Sequence, residues 1–247
     1  MKSTQNNTVV LTETDSTNNY ANRLISTGKA VEGTVVLSSF QVSGRGQRGN
    51  RWESEAGKNL LASMVVFPEF LPVQRQFYLS KIISIGMVDW LSQHVAGVSV
   101  KWPNDIFVGK RKIAGILIET SVQGSSFHSA VIGVGLNLNQ EKFSPELPNP
   151  VSLKQLTDKT YPPETVACEI QQRFMEWYAK LQTGFYAEVD SVYHSHLFRM
   201  NEWTMFRSEG VAWEGRILGT GEFGNLIIET RSGKKTGYAF KEVEFIL

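Results

Sequence analysis

The sequence predicts an α+β fold: a mixed or antiparallel sheet with helices packed on it, followed by a small β-barrel. Three observations predict it. Apolar runs of strand length fall at Thr8 to Thr12, Gly33 to Gln41 and Asn59 to Phe67, and again through Val98 to Asn139. Segments with helical apolar spacing separate and follow these runs. From about Asn201 the texture changes to five short β-rich runs divided by Gly, Ser and Asn turns, the spacing of a small barrel. The predicted domains are residues 1–198 and residues 199–247, a division that a chain of 247 residues accommodates.

Thr14-Asp15-Ser16-Thr17-Asn18 stands before Tyr20 to Ile25, and Gly28 follows, which marks a short helix from Ser16 to Thr27. Gly33 to Gln41 reads as a buried strand that leads into Gly44-Arg45-Gly46-Gln47-Arg48-Gly49-Asn50-Arg51-Trp52. Asn59 to Phe67 is the strand that leaves this loop, so core strands anchor both its ends while its middle can move. Leu71-Pro72 opens a long helix to about His94, ended by Gly97. Val98 to Val108, Lys112 to Thr120 and Ser129 to Asn139 suggest an antiparallel meander of three strands, the first interrupted by Pro103. Residues 141–163 form an irregular connector. Pro162-Pro163 then opens a helix with Val166, Ile170, Phe174, Trp177 and Leu181 along its apolar stripe, and Tyr186 to Phe198 is read as another.

Composition narrows the function. The 25 basic and 24 acidic side chains leave a formal net charge of +1, which argues against nucleic acid as the main partner. Cys168 is the only cysteine, so neither a disulfide framework nor a thiolate metal cluster is expected, and it is read as helix filler. The four histidines show no zinc-ligand pattern. Met1 to Val10 lacks the apolar stretch of a signal peptide, and no run is long enough to span a bilayer. A cytoplasmic protein without membrane contact is expected.

The loop from Gly44 to Trp52 is the most informative stretch. Its glycines let backbone approach a ligand, and its arginines offer planar forks to carboxylate or phosphate oxygens. Trp52 adds a flat apolar face. The loop matches neither the phosphate loop nor the dinucleotide fingerprint, so alone it indicates only an anion nearby. Lys112 begins an otherwise apolar run, which places it at the rim of a core pocket, either snorkelling to water or meeting a buried anion.

Gly-Arg-Gly-Gln-Arg-Gly-Asn-Arg-Trp at 44–52, Lys-Trp-Pro-Asn-Asp-Ile at 101–106, Lys-Ile-Ala-Gly-Ile-Leu-Ile-Glu at 112–119 and Gly-Val-Gly-Leu-Asn-Leu-Asn at 133–139 resemble the signature blocks of biotin–protein ligases. Asp-Ser-Thr-Asn at 15–18 matches the family's entry block, and the similarity runs through the small C-terminal module. The resemblance implies a catalytic domain like that of class II aminoacyl-tRNA synthetases, followed by an SH3-like barrel. It also implies a two-step reaction. Biotin and ATP give biotinyl-5'-adenylate and pyrophosphate, and a lysine of a biotin carboxyl carrier protein or domain, from a biotin-dependent carboxylase, then takes the biotinyl group and releases AMP.

Matched positions give the implied roles. Ser16, Thr17, Asn18 and Gln41 would bind the ureido end of biotin. Gly44, Arg45, Gly46 and Gln47 would close over its tail and the α-phosphate, and Gly115 would let the wall approach its rings. Lys112 would bridge carboxylate and phosphate, with Arg45 and Arg48 as further catalytic cations. Trp52 would stack on adenine, Asn104 and Asn137 would address its edge, and Arg48 and Lys112 would complete the ATP contacts. Asp105 would either take a proton from the incoming amine or brace Lys112. Mg²⁺ is expected to arrive with the ATP phosphates, with no protein ligand assigned. Trp102 is read as core and stays outside the site.

Two departures from the family pattern stand out. Many relatives carry arginine at the Gln47 position and often at Asn50, so a weaker hold on the adenylate is expected here. The first ligand block begins at Asp15, leaving no room for the DNA-binding domain of some relatives, so no operator binding is expected. A lipoate or octanoate ligase or transferase of the same fold is the nearest alternative, and a non-catalytic biotin- or nucleotide-binding regulator the other. Two copies could pair through an exposed sheet edge.

Overall fold

In the computed structural model, which describes residues 7–124 and 126–246, β1 (Thr8–Thr14) pairs in parallel with β2 (Val35–Gln41). Parallel neighbours need a crossover, and α1 (Thr17–Ser26) supplies it, entered from Ser16 in extended conformation. The remaining strands of this sheet pair antiparallel: β3 (Leu60–Val66), β4 (Val98–Lys101), β5 (Asp105–Val108), β6 (Arg111–Gln123) and β7 (Ser126–Leu136). The order in space is β1-β2-β3-β7-β6-β5-β4. The meander therefore has four strands, not three. Pro103 falls in the turn of the β4–β5 hairpin, where it is not asked to donate to a ladder.

Strand alternation gives the sheet two unlike faces. Leu60, Ala62, Met64 and Val66 of β3 join Ala114 and Ile116 of β6 and Ala130, Ile132, Val134 and Leu136 of β7 in one buried core. Helices cover that face: α2 (Phe77–Leu91), then, beyond a short α3 (Leu153–Thr157) in the connector, α4 (Pro163–Gln182) and α5 (Tyr186–Ser195). The long helix predicted from Pro72 is shorter, because Val73–Arg75 forms a separate 3-10 turn. Helix α2 is buried nearly all round, down to Lys81, whose ammonium meets Asp190 of α5 at 2.5 Å and sits 4.6 Å from the Tyr78 ring centre. On α4 the buried stripe runs Val166, Ile170, Phe174, Tyr178 and Leu181; Trp177 lies partly exposed beside it, and Cys168 faces solvent instead of filling the core.

The C-terminal strands β8 (Trp203–Ser208), β9 (Val211–Thr220), β10 (Leu226–Thr230), β11 (Lys235–Tyr238) and β12 (Glu244–Phe245) make a second sheet ordered β11-β10-β9-β8-β12. Its ladder is open, which corrects the closed barrel expected from the sequence. The edge strand β12 has two residues, and the chain before it turns through Lys241 at φ 74°, leaving no extended length to reach β11. The second sheet shares the main core, through Phe206, Ile217, Leu226, Ile228 and Val243. Polar contacts reinforce the junction: the Trp102 indole N–H donates to the Gly224 carbonyl at 2.8 Å, and His194 hydrogen-bonds Thr220 at 3.0 Å.

Candidate active site

The face of β3, β6 and β7 that the helices leave uncovered is built from the alternate residues. These are Ser63, then Gly115, Leu117 and Glu119, then Gly133 and Gly135. Together with α1, the glycine–arginine loop and the rim of the second sheet, this face encloses a cleft of about 650 Å³.

The floor is polar and connected. Buried Thr17 and Asn18 open α1 over Ser63, whose hydroxyl lies 2.7 Å from Thr17 Oγ1 and 2.6 Å from Asn18 Oδ1. The Gln41 carbonyl oxygen accepts from the Thr17 amide at 2.7 Å and its hydroxyl at 3.1 Å. The Asn18 amide donates to Glu119 at 2.9 Å and to the Leu117 carbonyl at 3.3 Å. Gly133 is required here, since a Cβ would stand 2.4 Å from Asn18 Oδ1. Glu119 also receives the Arg45 guanidinium at 2.7 Å, so one carboxylate ties the loop to the floor. Such a set offers both donors and acceptors to a small polar ring.

The loop closes on itself by the Trp52 amide donating to the Gly44 carbonyl at 3.0 Å and the Gly46 amide to the Asn50 carbonyl at 2.7 Å. A Cβ on Gly44 would lie 2.5 Å from the Trp52 carbonyl oxygen, so Gly44 is buried and serves closure without lining the cleft. Gln47–Gly49 forms a 3-10 turn. Arg45, Gly46 and Gln47 line the cleft, whereas the Arg48 side chain lies outside the described residues. The Trp52 indole rests on Gly115 and Gly135, which are partners across the β6–β7 ladder. Its buried indole N–H has no hydrogen-bond partner among the described residues.

A β-bulge aims Lys112. Ile106 of β5 faces Ala114 and Phe107 faces Lys112, so β6 carries one residue too many at Ile113. This shift turns Lys112 from the core face to the cleft, where its ammonium meets Asp105 at 2.6 Å and stands 5.8 Å from the Trp52 ring centre. The connector steadies the bulge, as the Lys112 amide donates to the Asn149 carbonyl and the Val151 amide to the Lys112 carbonyl. Asn104 lines the cleft and is pinned to β6, its amide donating to the Ile116 carbonyl at 2.9 Å.

Asn137 does not line the cleft. It is buried, its amide donates to the Val151 carbonyl at 3.1 Å, and it braces the connector beneath the bulge. Gly133 and Gly135 line the cleft and were missed, as were Ser63 and Glu119, which stand behind the lining and hold Thr17, Asn18 and Arg45; a period of two along each strand marks the face all four share. Lys101 was missed too, as was the wall given by Phe240, Lys241, Val243, Glu244 and Phe245 of the second sheet. No local pattern in those residues signals a ligand; only the docking of the two sheets brings them to the cleft.

Residues 10–137 match the family model described as the biotin/lipoate A/B protein ligase family, and the chain belongs to that family. The biotin--[acetyl-CoA-carboxylase] ligase of Paracoccus denitrificans is 29% identical over 234 residues, 92% of this chain and 95% of its own length. The bifunctional ligase/repressor BirA of Bacillus subtilis (strain 168) is 28% identical over 220 residues, 87% of this chain and 67% of its own. Among solved structures, the biotin protein ligase from Aquifex aeolicus in complex with biotin and ATP superposes with a TM-score of 0.81 at 24% identity, covering 98% of this chain and 99% of that one.

Proposed function

We propose that the chain is a biotin–protein ligase that activates biotin with ATP and transfers it to a lysine of a biotin carboxyl carrier domain. The observation that carries this reading is one cleft lined by Thr17, Asn18 and Gln41, backed by buried Ser63, together with the Lys112–Asp105 pair and the glycine–arginine loop. A ureido ring suits that polar lining. The dithiolane ring of lipoate, or the apolar end of an octanoyl chain, brings no donors or carbonyl acceptor to it.

In the first step a carboxylate oxygen of biotin attacks the α-phosphorus of ATP, and the bond to the bridging oxygen breaks so that pyrophosphate leaves. Two anions must meet, and at about 4 Å in a partly desolvated site their repulsion reaches several kcal/mol unless cations offset it. Lys112 is placed to do so. Its ammonium has three donors, and Asp105 occupies one, leaving two for carboxylate and α-phosphate oxygens. Arg45 adds a second cation; Glu119 holds one guanidinium nitrogen and leaves the others for ligand. Gly46 and Gln47 cover the tail, Trp52 offers adenine the face opposite the glycine shelf, and Asn104 stands at its edge. In the second step the carrier amine attacks the acyl carbon, the bond from that carbon to the phosphate oxygen breaks so that AMP leaves with its electron pair, and the proton lost by the amine passes to water. Asp105 serves both steps by bracing Lys112.

Among the described residues no group of three or more His, Cys, Asp or Glu is placed to hold a metal. A Mg²⁺ ion would be held by nucleotide phosphates and water, where it would neutralise phosphate charge. We assign residues 1–198 to catalysis and 199–247 to an SH3-like wall of the nucleotide side. The edge strand β1 offers pairing to a second copy, and the setting is cytoplasmic; no helix among the described residues is long and apolar enough to cross a membrane. Incubation with biotin, MgATP and a carrier domain, followed by mass measurement of the carrier, tests the reading. A carrier modified with lipoate and not biotin, or ligand binding without ATP–pyrophosphate exchange, overturns it.

A further inference from the structure

Lys101 closes β4 opposite Asp105, its register partner across the hairpin. Its side chain lines the cleft yet makes no hydrogen bond or ion pair among the described residues. Instead the ammonium stands 5.4 Å from the Phe107 ring centre and 5.0 Å from that of Phe245. Phe107 belongs to the large sheet and Phe245 to the small one, so the cation sits in the seam between them. Every other cation whose side chain is described in the cleft is either ion-paired, as Arg45 and Lys112 are, or exposed, as Arg51 and Lys241 are. A half-buried charge held only by aromatic faces is incompletely compensated, because a cation–π contact offsets part of the lost hydration and no more.

Lys101 therefore lacks an anion, and its place in the cleft says which one. Asp105 bonds Lys112, and Lys101, directly across the hairpin from Asp105, reaches instead to Phe245 of the second sheet. If Lys112 takes the α-phosphate, the rest of the triphosphate can extend along Lys101 toward Lys241. We infer that Lys101 binds the β- and γ-phosphates of ATP and stabilises the pyrophosphate as it departs, an assignment that rests on the ligase reading above. When the carboxylate oxygen bonds to the α-phosphorus, the electron pair of the breaking P–O bond goes to the bridging oxygen, and charge grows on the pyrophosphate. A fixed ammonium there acts more strongly in the transition state than in bound ATP. The seam explains why the second sheet matters to chemistry: Phe245 holds the cation in place. Burial pushes the Lys101 ammonium below the ordinary lysine range, with Asp105 opposing and Lys112 reinforcing the shift, so nothing within the protein fully satisfies this charge.

The test is calorimetric titration of the full chain with inorganic pyrophosphate and, separately, with biotin, alongside ATP kinetics. Lys101→Gln should bind pyrophosphate roughly tenfold more weakly and raise KM for ATP by a similar factor, with biotin affinity unchanged. Lys101→Arg should recover most of both. Unchanged pyrophosphate affinity in Lys101→Gln overturns the assignment, as does an equal loss of biotin and pyrophosphate binding in both variants, which would mean a structural lysine. The two readings fail separately. Wild-type protein that binds pyrophosphate through Lys101 but never makes an activated acid sinks the ligase and leaves this site standing. Normal activation with Lys101→Gln indistinguishable from wild type does the reverse.

Discussion

A Cβ placed on Gly135 would stand 2.4 Å from Cε2 of Trp52. The indole therefore seats on bare backbone, and Gly135→Ala must lift it. Overpacking of this kind costs about 1–3 kcal/mol. Because Trp52 would face adenine, KM for ATP should rise about tenfold, as expected for a lost aromatic platform, while biotin affinity stays near wild type. Steady-state kinetics with a biotin titration check this; a variant impaired equally toward both ligands would count against the platform.

Lys112→Ala should lower ATP–pyrophosphate exchange by about a hundredfold or more, since a preorganised cation at developing charge is worth several kcal/mol. Asp105 then loses its 2.6 Å partner, so Asp105→Asn alone should cost less than Lys112→Ala, and the double variant little more than Lys112→Ala. Exchange at the normal rate in Lys112→Ala would refute the assigned role.

Glu119→Gln keeps an acceptor for Asn18 but removes the charge that holds Arg45. Both partners are about a third exposed, so the clasp is weak and its loss should raise the open-loop population by no more than about fivefold. Tryptic cleavage after the loop arginines should accelerate to that extent, and biotin with MgATP should suppress it. Identical cleavage rates would show that the clasp does not govern the loop.

Gln47 lines the cleft as a neutral side chain. Gln47→Arg should slow release of the adenylate, read by filtration of preformed complex. Equal or faster release would mean that the neutral side chain already holds the intermediate as well as a cation does.

Glu32 is exposed yet accepts the Phe67 amide at 3.1 Å, and desolvation by the atoms packed beside it lifts its pKa above the usual 4.5, opposed by hydrogen bonds from Phe67 and Tyr178. The sign follows: a raised acid pKa costs folding stability where the group must ionise, above that pKa, and costs nothing well below 4.5. Glu32→Gln keeps the acceptor and should raise Tm by about a degree or two at mildly alkaline pH, the gain vanishing in acid. A gain that persists in acid would point to packing instead.

Much of this was legible in the sequence because its signals are local. Glycine spacing, the Ser16 entry to α1 and the apolar runs placed the loop, the strands and most of the cleft. What stayed hidden depends on partners far along the chain. The bulge that turns Lys112 into the cleft exists only against β5, and the Val151 carbonyl that takes the Asn137 amide arrives from the connector. Closure of the last five strands was overestimated because turn spacing counts strands without measuring whether the edge ones reach each other. No site role was read for Lys101, because Phe245, which stands beside it, comes from the far end of the chain.

The division of β6 and β7 into unlike faces sets how these strands can vary over time. Even-numbered neighbours such as Ile116, Ile132 and Val134 can trade one aliphatic shape for another, since they answer only to volume. Gly115, Gly133 and Gly135 have no such freedom, because any methyl group intrudes on Trp52, Asn18 or the backbone of the facing strand. Saturation mutagenesis of the two strands should thus yield tolerance that flickers on and off with every residue, a rhythm imposed by the pleat itself.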